Sequence, residues 1–154
     1  MRKFIKEKIS IIIPTFNEEN NIVILIDEII AEMTNKNYEI IIVDDGSTDL
    51  TVNNILKKFN TNEKIKLLQR QYDRGLVQSI KFGFQSMTGE YFVVMDGDRQ
   101  HSASEINYLI NELGANDLVI GVRNLKELDV ISTKRLFLSK VFNKFLQFIL
   151  STNI

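Results

Sequence analysis

Five short runs of β-branched and aliphatic residues, spaced through the first four-fifths of the chain, limit the fold more than any other feature. They are KISIIIP (8–14), YEIIIVD (38–44), KIKLLQR (64–70), EYFVVMD (90–96) and NDLVIGV (116–122). Several are nearly continuous in apolar residues, which suits strands covered on both faces, as in a parallel sheet. Between them, residues 18–34, 48–59, 75–87 and 102–113 carry apolar side chains at helical spacing, for example Ile22, Leu25, Ile26, Ile29 and Ile30. The repeated β-α order predicts an α/β fold: a mostly parallel open sheet with right-handed crossovers, flanked by helices. Its ligand site should lie at the carboxyl ends of the strands.

Composition excludes several alternatives. With 154 residues, 44% of them hydrophobic, the chain can bury one sizeable core. Nineteen basic and twenty acidic residues leave no global field that would recruit nucleic acid, so charge effects must be local. The absence of cysteine removes disulfides, thiolate metal sites and a cysteine nucleophile, and fits a reducing compartment. The basic N-terminus has too short an apolar run for a signal peptide, and no stretch approaches the roughly 18 apolar residues of a membrane span.

Polar residues collect where the strands end. The first strand runs into PTFNEEN, the second into VDDGSTD and the fourth into MDGDRQH. Each has a bland reading by itself. Thr15 or Asn17 could cap the first helix, with Glu18 and Glu19 favouring its positive end. DGSTD could be a tight turn and a cap, and DGD could be turn chemistry, although a turn needs no second aspartate. The convergence of all three on one rim is what points to a site. Asp96, Asp98 and Gln100 are hard oxygen donors at alternate positions, which suit Mg²⁺ or Mn²⁺, and such an ion would bridge a diphosphate. No glycine-rich phosphate loop follows the first strand, which argues against a P-loop ATPase, a dinucleotide oxidoreductase and a sugar nucleotidyltransferase. A haloacid dehalogenase-type phosphatase would place its aspartates after the first strand, not the fourth.

The blocks SIIIPTFNEENNI, YEIIIVDDGSTDLT, GEYFVVMDGDRQHSASEI and DLVIGVRN resemble, in order, those of family 2 glycosyltransferases with the GT-A fold. The similarity is to the dolichyl-phosphate mannose synthase and polyprenyl-phosphate glycosyltransferase branch and covers roughly residues 8 to 145. It implies that Pro14, Phe16, Glu18, Val43 and Asp45 line a nucleoside pocket, and that Asp96, Asp98 and Gln100 hold a divalent metal. It places Arg123 where the family's phosphate-binding arginine stands, with Arg135 and Ser139 on an acceptor phosphate; if that acceptor is a lipid phosphate, Arg123 and Arg135 would grip it together. Asp96, Asp98 and Arg123 would then be the catalytic set. The implied reaction is an inverting, metal-dependent transfer of a sugar from a nucleoside diphosphate to a polyprenyl phosphate, at the cytoplasmic face of a membrane. Transfer to a saccharide hydroxyl and a non-catalytic nucleotide-binding module are the alternatives.

The chain departs from that pattern at Gly97, Arg99 and Ser102 around the metal motif, and at Val77 and Gln78 after DRGL. Members of the branch normally continue further, so the resemblance also implies a fragment or an unusually short form. Residues 1–131 are expected to form the nucleotide-sugar-binding domain, and 132–154 the start of an acceptor or membrane-proximal region. That last segment has Lys134, Arg135, Lys140 and Lys144 among Phe137, Phe142, Phe145 and Phe148, and no acid between Ser132 and Leu150. Such a helix could lie in a membrane interface beside a lipid phosphate, or pack on a neighbouring part of the protein. His101, the sole histidine, could act as a base or ligand, or simply pack or cap at the start of the next helix.

Overall fold

A computed structural model describes residues 7–113 and 116–121. The chain divides into two units, Met1–Ile120 and Gly121–Ile154, and the description below concerns the first. Four strands, β1 (Ile9–Thr15), β2 (Tyr38–Asp44), β3 (Ile65–Gln69) and β4 (Tyr91–Val94), alternate with α1 (Ile22–Glu32), α2 (Thr51–Phe59), α3 (Leu76–Ser86) and α4 (Ser104–Leu113). The sheet is parallel throughout, in the order β3-β2-β1-β4. Every residue of β1 and β2 is buried, which accounts for the unbroken apolar runs there.

Side-chain alternation separates two cores. Ile9, Ile11 and Ile13 of β1, with Tyr38, Ile40 and Ile42 of β2, pack against Ile22, Leu25, Ile26 and Ile29 of α1, Ile55 and Phe59 of α2, and Ile106 and Ile110 of α4. On the opposite face Ile12, Ile41 and Val43 form a smaller core with Leu68 and Met87. α3 covers that side and comes very close at Gly83, where an added Cβ would stand 2.5 Å from Ile12 Cγ2 and 3.1 Å from Val43 Cγ2.

Pro14 interrupts a central strand without leaving an orphaned neighbour. Pairing of β1 with β4 stops at Ile12↔Val94, while pairing with β2 runs on to Thr15↔Asp44. Ile12 O accepts from Met95 N, so Pro14, two residues on, turns its missing N–H to the same side, beyond the last β4 pair.

The expected helix at 18–34 begins only at Ile22, because residues 17–19 are spent on contacts between loops. The expected fifth strand at 116–122 does not form over residues 116–121. Leu118 and Ile120 are 71% and 70% exposed, so the apolar run finds no covering element among the described residues. At the opposite end of the strands, buried Glu39 receives Ser10 Oγ at 2.7 Å, Thr88 N at 2.6 Å and Thr88 Oγ1 at 2.9 Å, and faces Lys66 at 2.7 Å and Lys8 at 3.2 Å. Burial would push its carboxyl up, but the bonds from Lys66, Ser10 and Thr88 outweigh it and hold the group well below the usual carboxylate range.

Candidate functional site

A parallel sheet gathers the loops that follow its strands on one rim, and the residues in those loops decide how firmly they are held. The loops after β1 and β2 are laced together. Asn17, in the left-handed region at φ 55°, donates its N–H to Ser47 Oγ at 2.8 Å and accepts Thr48 N on Oδ1 at 2.9 Å. Glu18 N donates to Thr51 Oγ1 at 2.8 Å, Glu19 N to Asp49 Oδ2 at 3.1 Å, and Leu50 N to Glu19 Oε2 at 2.9 Å. Asn17 therefore clamps two loops instead of capping α1, whose first cap residue, Asn21, makes no side-chain cap bond. Burial would raise the Asp49 carboxyl, but bonds from Thr51 and from Glu19 N outweigh it and lower it below the ordinary value.

Beside this lacing lies an open cleft of about 590 Å³, lined by Pro14, Thr15, Phe16, Asp45, Arg74, Gly75, Leu76 and Ser79. Asp45 is its hub. Its Oδ1 accepts from Arg70 Nη1 at 2.8 Å, and its Oδ2 accepts from Gly75 N at 2.6 Å. Arg70 also donates to Ser79 Oγ at 2.9 Å and to the carbonyls of Tyr72 and Asp73. One ion pair thus joins the end of β2, the end of β3 and the first turn of α3. Gly75 adopts φ 138°, a conformation that L side chains rarely take, and so marks where the chain turns into α3. Arg74 lays its guanidinium 4.6 Å above the Phe16 ring and donates to Asp45 O at 2.6 Å and Gly46 O at 3.2 Å.

Of the expected nucleoside-pocket residues, Pro14, Phe16 and Asp45 come together in this cleft. Glu18 stands beside it, with Oε2 accepting from Asn21 Nδ2 at 2.7 Å. Val43 is fully buried under α3 and lies below the cleft floor, not on its wall. Arg70, Arg74, Gly75 and Ser79 were not singled out from sequence. The available signal was two arginines and a glycine in RQYDRG directly after the third apolar run.

The loop after β4 abuts the same rim. A Cβ at Gly97 would sit 3.3 Å from Thr15 Oγ1 and 3.6 Å from Pro14 O and Glu18 Cγ, so this loop rests against the end of β1. Asp96 is exposed and, among the described residues, has no hydrogen-bond or ion-pair partner. Asp98 is half-buried, with Oδ1 accepting Gln100 N at 2.9 Å. Arg99 between them has φ 60° and reaches Glu28 of α1 at 2.6 Å. His101 Nδ1 stands 3.5 Å from Glu105 Oε2, one turn on, facing α4.

Among the described residues no three acidic or histidine side chains converge on one point. The loop instead offers two carboxylates and an amide, all hard oxygen donors, with one Asp98 oxygen and both Asp96 oxygens uncommitted. That set fits Mg²⁺ or Mn²⁺ of the kind that completes its shell with water and substrate phosphate oxygens. Arg123, Arg135, Ser139 and the segment 132–154 lie outside the described residues. Among the described residues no helix is long and apolar enough to cross a membrane.

The sequence model of glycosyl transferase family 2 matches residues 10–154. A dolichol-phosphate mannosyltransferase of Pyrococcus furiosus is 37% identical over 120 residues, which is 77% of this chain and 34% of that protein. An undecaprenyl-phosphate 4-deoxy-4-formamido-L-arabinose transferase of Photorhabdus laumondii is 30% identical over 142 residues, 89% of this chain and 42% of that protein. The chain therefore spans well under half the length of these relatives. Among solved structures, a mannosyltransferase from Pyrobaculum calidifontis in complex with GDP-Man and Mn²⁺ superposes with a TM-score of 0.60 at 26% identity, covering 71% of this chain and 32% of that one.

Proposed function

The chain belongs to glycosyl transferase family 2, with the GT-A fold, and from that membership we propose that it binds the nucleoside diphosphate sugar of an inverting transfer to a polyprenyl phosphate. The observation that carries this reading is the contact between the cleft wall at Thr15 and the Asp96–Gln100 loop at Gly97. A nucleoside in the cleft would have its diphosphate at that loop.

Phe16 and the Arg74 guanidinium offer flat faces for a base, and the loop bonds hold them in place before substrate arrives. Asp96, Asp98 and Gln100 would hold Mg²⁺ or Mn²⁺ on the diphosphate. The chemistry that ion supplies when bound is Lewis-acid stabilisation of the leaving group's charge. Arg123 would make a charge-assisted contact to the phosphate of the acceptor.

The names of the two relatives support a lipid phosphate as acceptor. A phosphate monoester is a competent nucleophile near neutral pH and needs no general base. Arg135 and Ser139 would hold it for in-line attack on the anomeric carbon, which inverts the configuration. The basic, phenylalanine-rich stretch 132–150 would sit at the surface of the membrane carrying the lipid.

The test is a radiolabelled-sugar transfer assay with membranes or vesicles that contain polyprenyl phosphate, run beside an oligosaccharide acceptor, with and without a chelator. Label in the lipid fraction that disappears with the chelator is the expected result. Label confined to the oligosaccharide would refute the lipid acceptor.

A further inference from the structure

The DGDRQ loop contains a conformation that its own residues do not favour. Arg99 lies at φ 60°, in the left-handed region, where a side chain with a Cβ is strained and glycine, asparagine or aspartate is the usual occupant. It is flanked directly by Asp98 and Gln100, two of the three candidate metal donors. Local bonding explains only part of the geometry, since the bond from Gln100 N to Asp98 Oδ1 spans Arg99 without restraining its side chain.

Two contacts fix the loop from outside. On one side Gly97 is buried beside the end of β1, where an added Cβ would stand 3.6 Å from Pro14 O and Glu18 Cγ. On the other, Arg99 Nη2 donates to Glu28 Oε1 at 2.6 Å. Glu28 stands on α1, whose Ile22, Leu25, Ile26 and Ile29 are completely buried, so the carboxylate is mounted on the most firmly anchored helix of the unit. The donor oxygens thus lie between an anchor on β1 and an anchor on α1.

We propose that Glu28 is a positioning residue for the metal loop, acting through Arg99. It holds Arg99 in the left-handed conformation and thereby sets the spacing of the Asp96, Asp98 and Gln100 donors. The proposal rests on the reading of those three residues as the metal site. Arg99 is one of the positions at which the chain departs from the pattern it resembles, so the effect of the tether arises from this chain's own sequence. Both partners are partly exposed, which limits the effect to that of a surface ion pair.

The experiment is a Mn²⁺ titration of the full chain, followed by the electron paramagnetic resonance of free Mn²⁺, alone and with GDP or UDP. The proteins are the wild type, Glu28→Gln, Arg99→Gly, the double variant, and Asp27→Asn as a control on the same helix. Urea midpoints establish that each is folded. Glu28→Gln is expected to weaken Mn²⁺ binding about two- to fivefold. Glycine accepts φ 60° without a tether, so Glu28→Gln should have no further effect in the Arg99→Gly background, and Asp27→Asn should have none at all. Equal weakening by Glu28→Gln in both backgrounds, or by Asp27→Asn, would overturn the proposal, because the cause would then be helix charge and not Arg99. An unchanged affinity in Glu28→Gln would also overturn it. If the wild type itself binds no Mn²⁺, the metal reading fails first, an outcome visible before any variant is compared.

Discussion

Replacing Arg70 with methionine removes a guanidinium that serves three elements and leaves the Asp45 carboxylate with Gly75 N as its remaining partner. Loss of one member of a buried ion pair typically costs about 3–5 kcal/mol. Here the side chains of Arg70 and Asp45 are 9% and 13% exposed, and Asp45 Oδ2 keeps its bond, so the expected cost is nearer ~2–3 kcal/mol. Against a total stability of about 5–15 kcal/mol this would lower the urea midpoint visibly while leaving the chain folded in buffer. The freed loop before α3 carries Arg74 and Gly75, two walls of the cleft, so nucleoside diphosphate affinity should fall by about tenfold or more. The assay is urea unfolding by circular dichroism together with calorimetric titration of GDP and UDP. Adding Asp45→Asn completes a double-mutant cycle in which the coupling should be about 1–3 kcal/mol. A coupling below ~0.5 kcal/mol with unchanged nucleotide affinity would place the pair among ordinary surface salt bridges and refute the reasoning.

Two further outcomes test the packing and the electrostatics of the sheet. Gly83→Ala forces a methyl group against Ile12 and Val43 and should destabilise the chain by about 1–2 kcal/mol, overpacking outweighing the better helix propensity of alanine; a stabilised variant in urea would show that α3 can lift at no cost. Glu39 has a folded pKa depressed below its ordinary 4.5, so its contribution is complete above that pH and is lost as the pH falls below it; Glu39→Gln should lower stability at pH 7 by about 1–3 kcal/mol and flatten the acid limb below pH ~4.5, as measured by urea midpoints across pH.

Much of the architecture is legible in the order of residues because it rests on local periodicity. The runs at 8–14, 38–44, 64–70 and 90–96 each produce a strand within a residue or two of the expected bounds, and the nearly unbroken apolar runs of the first two already imply the burial on both faces that β1 and β2 show. NDLVIGV has the same local signal and forms no strand over 116–121, since an apolar run becomes a strand only when a neighbour pairs with it and another element covers it. The clustering of PTFNEEN, VDDGSTD and MDGDRQH on one rim also follows from chain order alone, because parallel strands with helical crossovers must end on the same side.

What tertiary structure alone decided is the partner of each polar group on that rim. Asn17 reads as a helix cap by sequence, yet it bonds Ser47 and Thr48, some thirty residues away. Asp45 reads as a turn residue or a nucleoside contact, and both its oxygens are taken by Arg70 and Gly75. Val43 lies two residues before the cleft residue Asp45 but is sealed beneath Gly83. Glu28 gave no sequence signal beyond its place on a helix, and only the packing of α1 beside the DGDRQ loop brings it to Arg99. Periodicity reports which face of an element is apolar, a property each segment carries in itself. Hydrogen bonds and ion pairs between loops need separations of about 3 Å, held to a few tenths of an ångström, between residues far apart in the chain, and those separations are set only once the strands have paired and the helices have docked.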